Sequence, residues 1–254
     1  MFMRRPELAP LALAAALAVT VLSGCSPMPE FGELTVDETY QVGKSALDDG
    51  DDLVATEAFR RITTNSPMHE LADDAMIGLA DAYRQMGDHA SAEQYYTELM
   101  IDYPRSPLVP EANYKLGLTY YEQSPSSQLD QGMTLEAIRQ LGEFSETYPD
   151  SPFVEDALEK KAELRARLAK KDYESGMLYL SLDSIDAARV YFEEVADEYG
   201  DTVWGRRALL QLARTYRDEG SAARAEEIYG RLMEDHPGTE EAAAASAEAG
   251  AVGP

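Results

Sequence analysis

Small, aromatic, alanine and proline positions recur along this chain in one fixed order. A small residue stands at Gly43, Ala80, Gly117, Gly176 and Ala213, and three residues on come Ala46, Tyr83, Tyr120, Tyr179 and Tyr216. An alanine follows at Ala55, Ala92, Ala137, Ala188 and Ala225, with Phe59, Tyr96, Leu141, Phe192 and Tyr229 four further on. Each set closes at Pro67, Pro104, Pro149, Gly200 or Pro237. The step from alanine to the closing residue is 12 every time; from small residue to alanine it is 12 except in the third set, where it is 20. Each set predicts two antiparallel helices, A and B. The small residue of A is expected to face the alanine of B so that the axes approach, with the aromatics filling the space beside them. The proline ends helix B because it cannot continue the hydrogen-bond ladder. No single hairpin can bury its apolar face, so neighbours stack.

The order Gly-x-x-Tyr, Ala-x-x-x-Phe and Pro resembles the tetratricopeptide repeat. The fold this implies is all-α, a right-handed superhelix of five helical hairpins. Most of the 15 tyrosines fall on or near these positions, and that argues for packing rather than a cofactor site.

Two irregularities stand out. The third repeat carries a polar insertion near "EQSPSSQLDQGMT", residues 122–134. Before the fourth small residue the gap is 27 residues rather than 13. The surplus is nearly a whole number of turns at 3.6 residues each. One uninterrupted helix from about Phe153 to Leu182 is therefore expected. It divides the array into an N-terminal lobe (35–151, repeats 1–3) and a C-terminal lobe (152–238, repeats 4–5). Basic residues favour the second lobe, with Arg206, Arg207, Arg214, Arg217, Arg224 and Arg231 all in repeat 5. The Ala-rich end, residues 239–254, is expected to be a disordered tail.

The N-terminus adds an address. Arg4 and Arg5 precede an apolar run, Leu11–Val21, that is too short to span a bilayer and suits a secretory signal in residues 1–24. It ends Leu22-Ser23-Gly24-Cys25, which resembles a bacterial lipoprotein signal. That resemblance implies that Cys25, the only cysteine, becomes the lipid-bearing first residue, followed by a linker over 25–34. Several acyl chains hold a protein on a membrane stably. Ser26 after the cysteine points to the outer membrane, at its periplasmic face.

Charge and chemistry narrow the function classes. A formal net charge of −25 argues against nucleic-acid binding, which needs positive charge. His69, His89 and His236 show no ligand spacing. Residues 48–52, "DDGDD", lack the spacing of a calcium loop and read as a turn. Neither a phosphate loop nor a nucleophile motif is present. The chain reads as a non-enzymatic protein without metal or cofactor, apart from the covalent lipid on Cys25.

With five repeats behind a lipoprotein signal, the segment of residues 95–202 resembles the BamD family of lipoproteins of the outer-membrane β-barrel assembly machinery. The residues that carry it are "VPEANYKLGLTYYEQ", the insertion before Asp130-Gln131, the link Tyr148–Ser151, and the long helix running into Gly176-x-x-Tyr179. The resemblance implies a scaffold that binds a BamA-type POTRA β-barrel protein, chiefly through its C-terminal lobe, and receives the C-terminal strand of unfolded outer-membrane proteins in its N-terminal lobe. Tyr40, Arg84, Lys115 and Tyr121 are candidates for the client groove, and Arg206, Arg207 and Arg217 for BamA. The chain departs from the family pattern at Tyr191, where many relatives carry Arg, at Asp183 in place of Gly, and at Gly200 in place of Pro. The alternative is a periplasmic tetratricopeptide lipoprotein that serves envelope synthesis or division. A cell-wall enzyme is a third reading, for which no acid–base pair is evident.

Overall fold

The computed structural model describes residues 29–125 and 130–250. Cys25 and the signal lie outside them. The described residues form eleven α-helices and no strand. They pair as α1 (Val36–Asp49) with α2 (Asp52–Asn65), α3 (Ala72–Gln85) with α4 (His89–Asp102), α5 (Val109–Gln123) with α6 (Gly132–Thr147), α7 (Val154–Ser181) with α8 (Ile185–Glu198), and α9 (Val203–Asp218) with α10 (Ala222–Asp235). The last helix, α11 (Glu240–Ala249), has no partner of its own kind.

Local chemistry starts and stops these helices. Thr35 and Glu38 make a reciprocal cap on α1: Thr35 Oγ1 accepts from Glu38 N–H at 3.2 Å and Thr35 N–H donates to Glu38 at 2.9 Å, filling orphan donors of the first turn. The turn from A to B uses one left-handed residue, at Gly50, Gly87, Asp183 and Gly220. The N–H that follows returns to the carbonyl five residues earlier, as in Asp51 to Ala46 at 2.8 Å and Ser221 to Tyr216 at 2.8 Å, closing the last turn of A. The "DDGDD" run is this turn. Asp183 is the one non-glycine with positive φ among the described residues, at 61°. An L side chain there costs about 1 kcal/mol. Asp183→Gly is thus expected to raise stability by roughly 0.5–1 kcal/mol, read as an upward shift of the thermal midpoint.

The closing proline has a more specific task than ending helix B. It sits just past the helix in a turn whose carbonyl and N–H are three apart, as in Ser106 N–H to Tyr103 O at 2.9 Å and Ser151 N–H to Tyr148 O at 3.0 Å. Proline suits that second turn position through its fixed φ.

The small residues of helix A do not chiefly meet the alanine of helix B. They meet the bulky residue four positions beyond it. A Cβ at Gly43 would come within 2.8 Å of Phe59, at Gly117 within 2.6 Å of Leu141, and at Gly176 within 2.7 Å of Phe192. These side chains, two rings and one leucine, lie across the glycine backbone, and this brings the helices together. Phe59, Leu141, Phe144, Phe192 and Tyr229 are buried.

Helix α7 is continuous over 28 residues, about 42 Å at 1.5 Å per residue. Its two halves do different work. Ala157 packs with Tyr114, Leu141 and Phe144, and Leu164 joins the core of repeats 2 and 3. Leu168 and Ala169 belong to the core built by α8, α9 and α10. The apolar clusters thus change over between Leu164 and Leu168. The inserted loop of repeat 3 is shorter than residues 122–134, because α5 runs to Gln123 and α6 starts at Gly132. Arg167 donates to Pro125 O at 3.3 Å, so the loop begins against α7.

The expected disordered tail is corrected. Residues 240–249 are helical, with Thr239 as N-cap accepting from Ala242 N–H at 3.2 Å. Glycine and proline at the very end misled the expectation. The alanines bury Ala242 and Ala245 against repeat 5, and Ala245 is part of its core.

Candidate functional site

Helix α1 touches α3, α5 touches α7, α7 touches α9 and α9 touches α11, so the A helices line the inner side of the array. All seven candidate protein-docking residues lie on A helices.

In the N-terminal lobe, Lys115 and Arg84 are each paired with carboxylates of the A helices. Lys115 Nζ lies 2.7 Å from Asp81 and 2.7 Å from Glu111. The buried Tyr96 hydroxyl donates to the other oxygen of Asp81 at 2.6 Å. Burial and Asp81 push the Tyr96 hydroxyl well above the usual phenol range, so it stays a donor. Arg84 pairs with Glu122, and its Nε is buried without a hydrogen-bond partner. Tyr121 sits apart from these two, on the flank facing α7. Its hydroxyl donates to Glu163 at 2.6 Å and Lys160 lies 5.1 Å from its ring centre. Tyr40 packs on Phe59 at 5.8 Å and feels Asp74 and Asp73. The structure therefore brings Arg84 and Lys115 together and leaves Tyr40 and Tyr121 at the two ends of the strip.

Those cations are not free charges. Asp81, Glu111 and Glu122 answer them, Glu163 holds the Tyr121 hydroxyl, and sequence reasoning missed all four. Asp81 and Lys115 are 34 residues apart, three short of the 37-residue spacing of Gly43, Ala80 and Gly117, so positions about one helical turn out of step in successive A helices pair. That spacing was the available signal.

The C-terminal candidates lie on α9 and are engaged by α11. Arg207 Nε donates to Glu241 at 3.4 Å, and Arg206 Nε stands 3.5 Å from the same carboxylate without hydrogen-bond geometry. Arg217 donates to Glu248 at 2.7 Å, as do Arg214 at 3.0 Å and the Tyr229 hydroxyl at 2.9 Å. Glu241 and Glu248 each follow an arginine by 34 residues, the same offset that pairs Asp81 with Lys115 on successive A helices, so α11 occupies the place of a sixth helix A. Beside them, Trp204 lies between Lys170 at 5.7 Å and Arg207 at 5.0 Å and packs on Tyr173 at 5.4 Å. Tyr191 stacks on Tyr179 at 5.3 Å.

The hold on α11 is mostly ionic. Each buried alanine methyl contributes only about 0.8 kcal/mol, and a helix of ten residues is marginal by itself. The hydrogen bond from Arg214, seconded by that from Tyr229, keeps the Glu248 carboxyl below the usual range. A lowered carboxylate pKa gives stability that is complete above the ordinary range and is lost as pH falls through the lowered value. Backbone carbon shifts of residues 240–249 should therefore report a helix at neutral pH and its loss as pH falls below the ordinary carboxylate range, while α9 and α10 keep theirs.

Residues 33–232 match the family described as YfiO, outer membrane lipoprotein. The chain is similar to the outer membrane protein assembly factor BamD of Caulobacter vibrioides, at 26% identity over 85% of this chain and 71% of that one. The BamD of Vibrio cholerae is 25% identical, over 82% of this chain and 91% of its own. Among solved structures, a tetratricopeptide repeat protein from Parabacteroides merdae shares 18% identity, with a TM-score of 0.37 over 85% of this chain and 77% of that one.

Proposed function

Since the chain belongs to the YfiO family of outer membrane lipoproteins, we propose that it serves outer-membrane protein assembly as a non-enzymatic scaffold, tethered by lipid on Cys25 at the periplasmic face. It docks a BamA-type POTRA β-barrel protein through repeats 4 and 5. Unfolded outer-membrane proteins enter the N-terminal lobe, where Tyr40, Arg84, Lys115 and Tyr121 line the inner strip. The observation that carries this reading is the family match, which runs through all five hairpins and the long helix α7.

The strip suits an extended client through paired charges. A strand ending in a carboxylate can compete with Asp81 for Lys115 and with Glu122 for Arg84, and its final aromatic can lie along the exposed ring edges. The lobe would then exchange one set of ion pairs for another, binding reversibly rather than tightly.

Crosslinked capture of tagged protein from envelope membranes, read by mass spectrometry, tests the role. A BamA-type protein should be recovered, together with barrel clients. Recovery of cell-wall or division proteins in its place would move the assignment to an envelope scaffold of another kind. In the same preparations Cys25→Ser should shift the chain from the membrane to the soluble fraction; unchanged membrane association would remove the lipid anchor from the proposal.

A further inference from the structure

The arginine row of α9 is a built surface with a provisional occupant. Arg206, Arg207, Arg214 and Arg217 face α11, which answers four guanidinium groups with two carboxylates, Glu241 and Glu248. Glu241 is buried. The rest of the contact is poor. Every apolar side chain that α11 offers is alanine, and between α7, α9 and α11 a cavity of about 350 Å³ remains, lined by Tyr173, Arg207, Leu210, Gln211, Arg214 and Ala244 among others. The hinge is short and simple: α10 ends at Asp235, and Gly238 has φ +83°. Thr239 caps α11 from within the moving piece. The family match stops at residue 232, so α11 lies beyond it while all four arginines lie inside it.

We infer that the α9 arginine row is a docking surface for an acidic helix of a partner protein, and that α11 is its cis occupant, exchanged for the partner's helix on binding. The complementary helix follows from the surface. It carries two carboxylates seven residues apart, as Glu241 and Glu248 are, and places a large apolar side chain three residues after the first. There α11 has Ala244, which borders the cavity. A partner side chain that fills the cavity packs on Tyr173, Leu210 and the stems of Arg207 and Arg214, contacts that Ala244 forgoes, and this lets it win against an intramolecular competitor. The charge pairs themselves are exchanged like for like. The inference goes beyond a BamA-type docking role by giving the chemistry of the docking element, and it is tested on the isolated chain, so its failure leaves the assembly reading standing.

The test uses the full chain as wild type and as the double variant Glu241→Gln/Glu248→Gln. The probe is a fluorescent synthetic peptide of residues 239–250, followed by anisotropy. The variant, with its own helix loosened, should bind the peptide at least about ten-fold more tightly than wild type, and raising NaCl from about 0.05 M to about 0.5 M should weaken that binding about ten-fold. A peptide with Ala244→Leu should bind several-fold tighter than the native peptide. Hydrogen exchange on the same samples should show residues 240–249 losing protection in the variant while α9 and α10 keep theirs. Equal peptide binding by wild type and variant, or persistent protection of 240–249 in the variant, overturns the inference. So does collapse of protection in α9 and α10, since α11 would then be a fixed part of the repeat 5 core.

Discussion

Gly205→Ala should destabilise the C-terminal lobe by about 2–3 kcal/mol, although alanine is the better helix former by about 1 kcal/mol. Gly205 lies in the first turn of α9. A Cβ there would stand 2.2 Å from Tyr199 O, 2.7 Å from Tyr199 C and 2.7 Å from Gly200 Cα. All three are backbone atoms, so no rotamer change relieves the clash. Helix α9 must retreat from the end of α8, and the Thr202 cap, which accepts from Gly205 N–H at 3.1 Å and donates to Tyr199 O at 2.8 Å, is pulled apart. Gly230→Ala in α10 is the control, because a Cβ there meets nothing within 4 Å; that change should stabilise by about 0.5–1 kcal/mol. Thermal unfolding of the two variants should move in opposite directions. A Gly205→Ala protein as stable as wild type would mean that the α8–α9 turn is not the close backbone contact described.

Arg189→Met should cost about 2–3 kcal/mol. Arg189 is buried on α8, and its guanidinium ties that helix to the C-terminal end of α9. It donates to Thr215 Oγ1 at 3.1 Å, to the Thr215 carbonyl at 3.0 Å and to Glu219 at 2.7 Å, and it lies 4.1 Å from the Tyr216 ring centre. The last carbonyls of a helix lack partners within it, so a cation there satisfies both hydrogen bonding and dipole. Methionine keeps the packing volume and loses every donor. Arg189→Lys should recover less than half of the loss, since one ammonium cannot reproduce the planar fork or the stacking. Urea unfolding is the suitable measurement, as it does not screen charge. A loss below about 0.5 kcal/mol for Arg189→Met would show the network to be incidental.

The comparison of Arg189 with Arg206, Arg207 and Arg217 shows what could be read in the chain and what could not. All are arginines on amphipathic helices of repeats 4 and 5. In sequence, the three in repeat 5 read as candidates for binding BamA, and nothing distinguishes Arg189. In the structure Arg189 is a buried tie, while the others are held by carboxylates 31 to 35 residues away in the chain, Glu241 and Glu248. The 34-residue recurrence of Lys115 with Asp81 and of Arg214 with Glu248 was present in the sequence. It becomes a contact only because stacked A helices bring positions one turn out of step with the 37-residue repeat side by side.

The repeat positions determined the hairpins, their order, the length of α7 and the turns, because helix periodicity, proline's fixed φ and glycine's access to the left-handed region act within a few residues. Tertiary structure alone decided which partner each small residue meets, that Gly205 must lack a side chain, that residues 240–249 fold, and which charges are already spent. Those outcomes depend on distances between helices remote in the chain. There, a few tenths of an ångström separate a close contact from a clash, and a second charge decides whether the first is available to a partner.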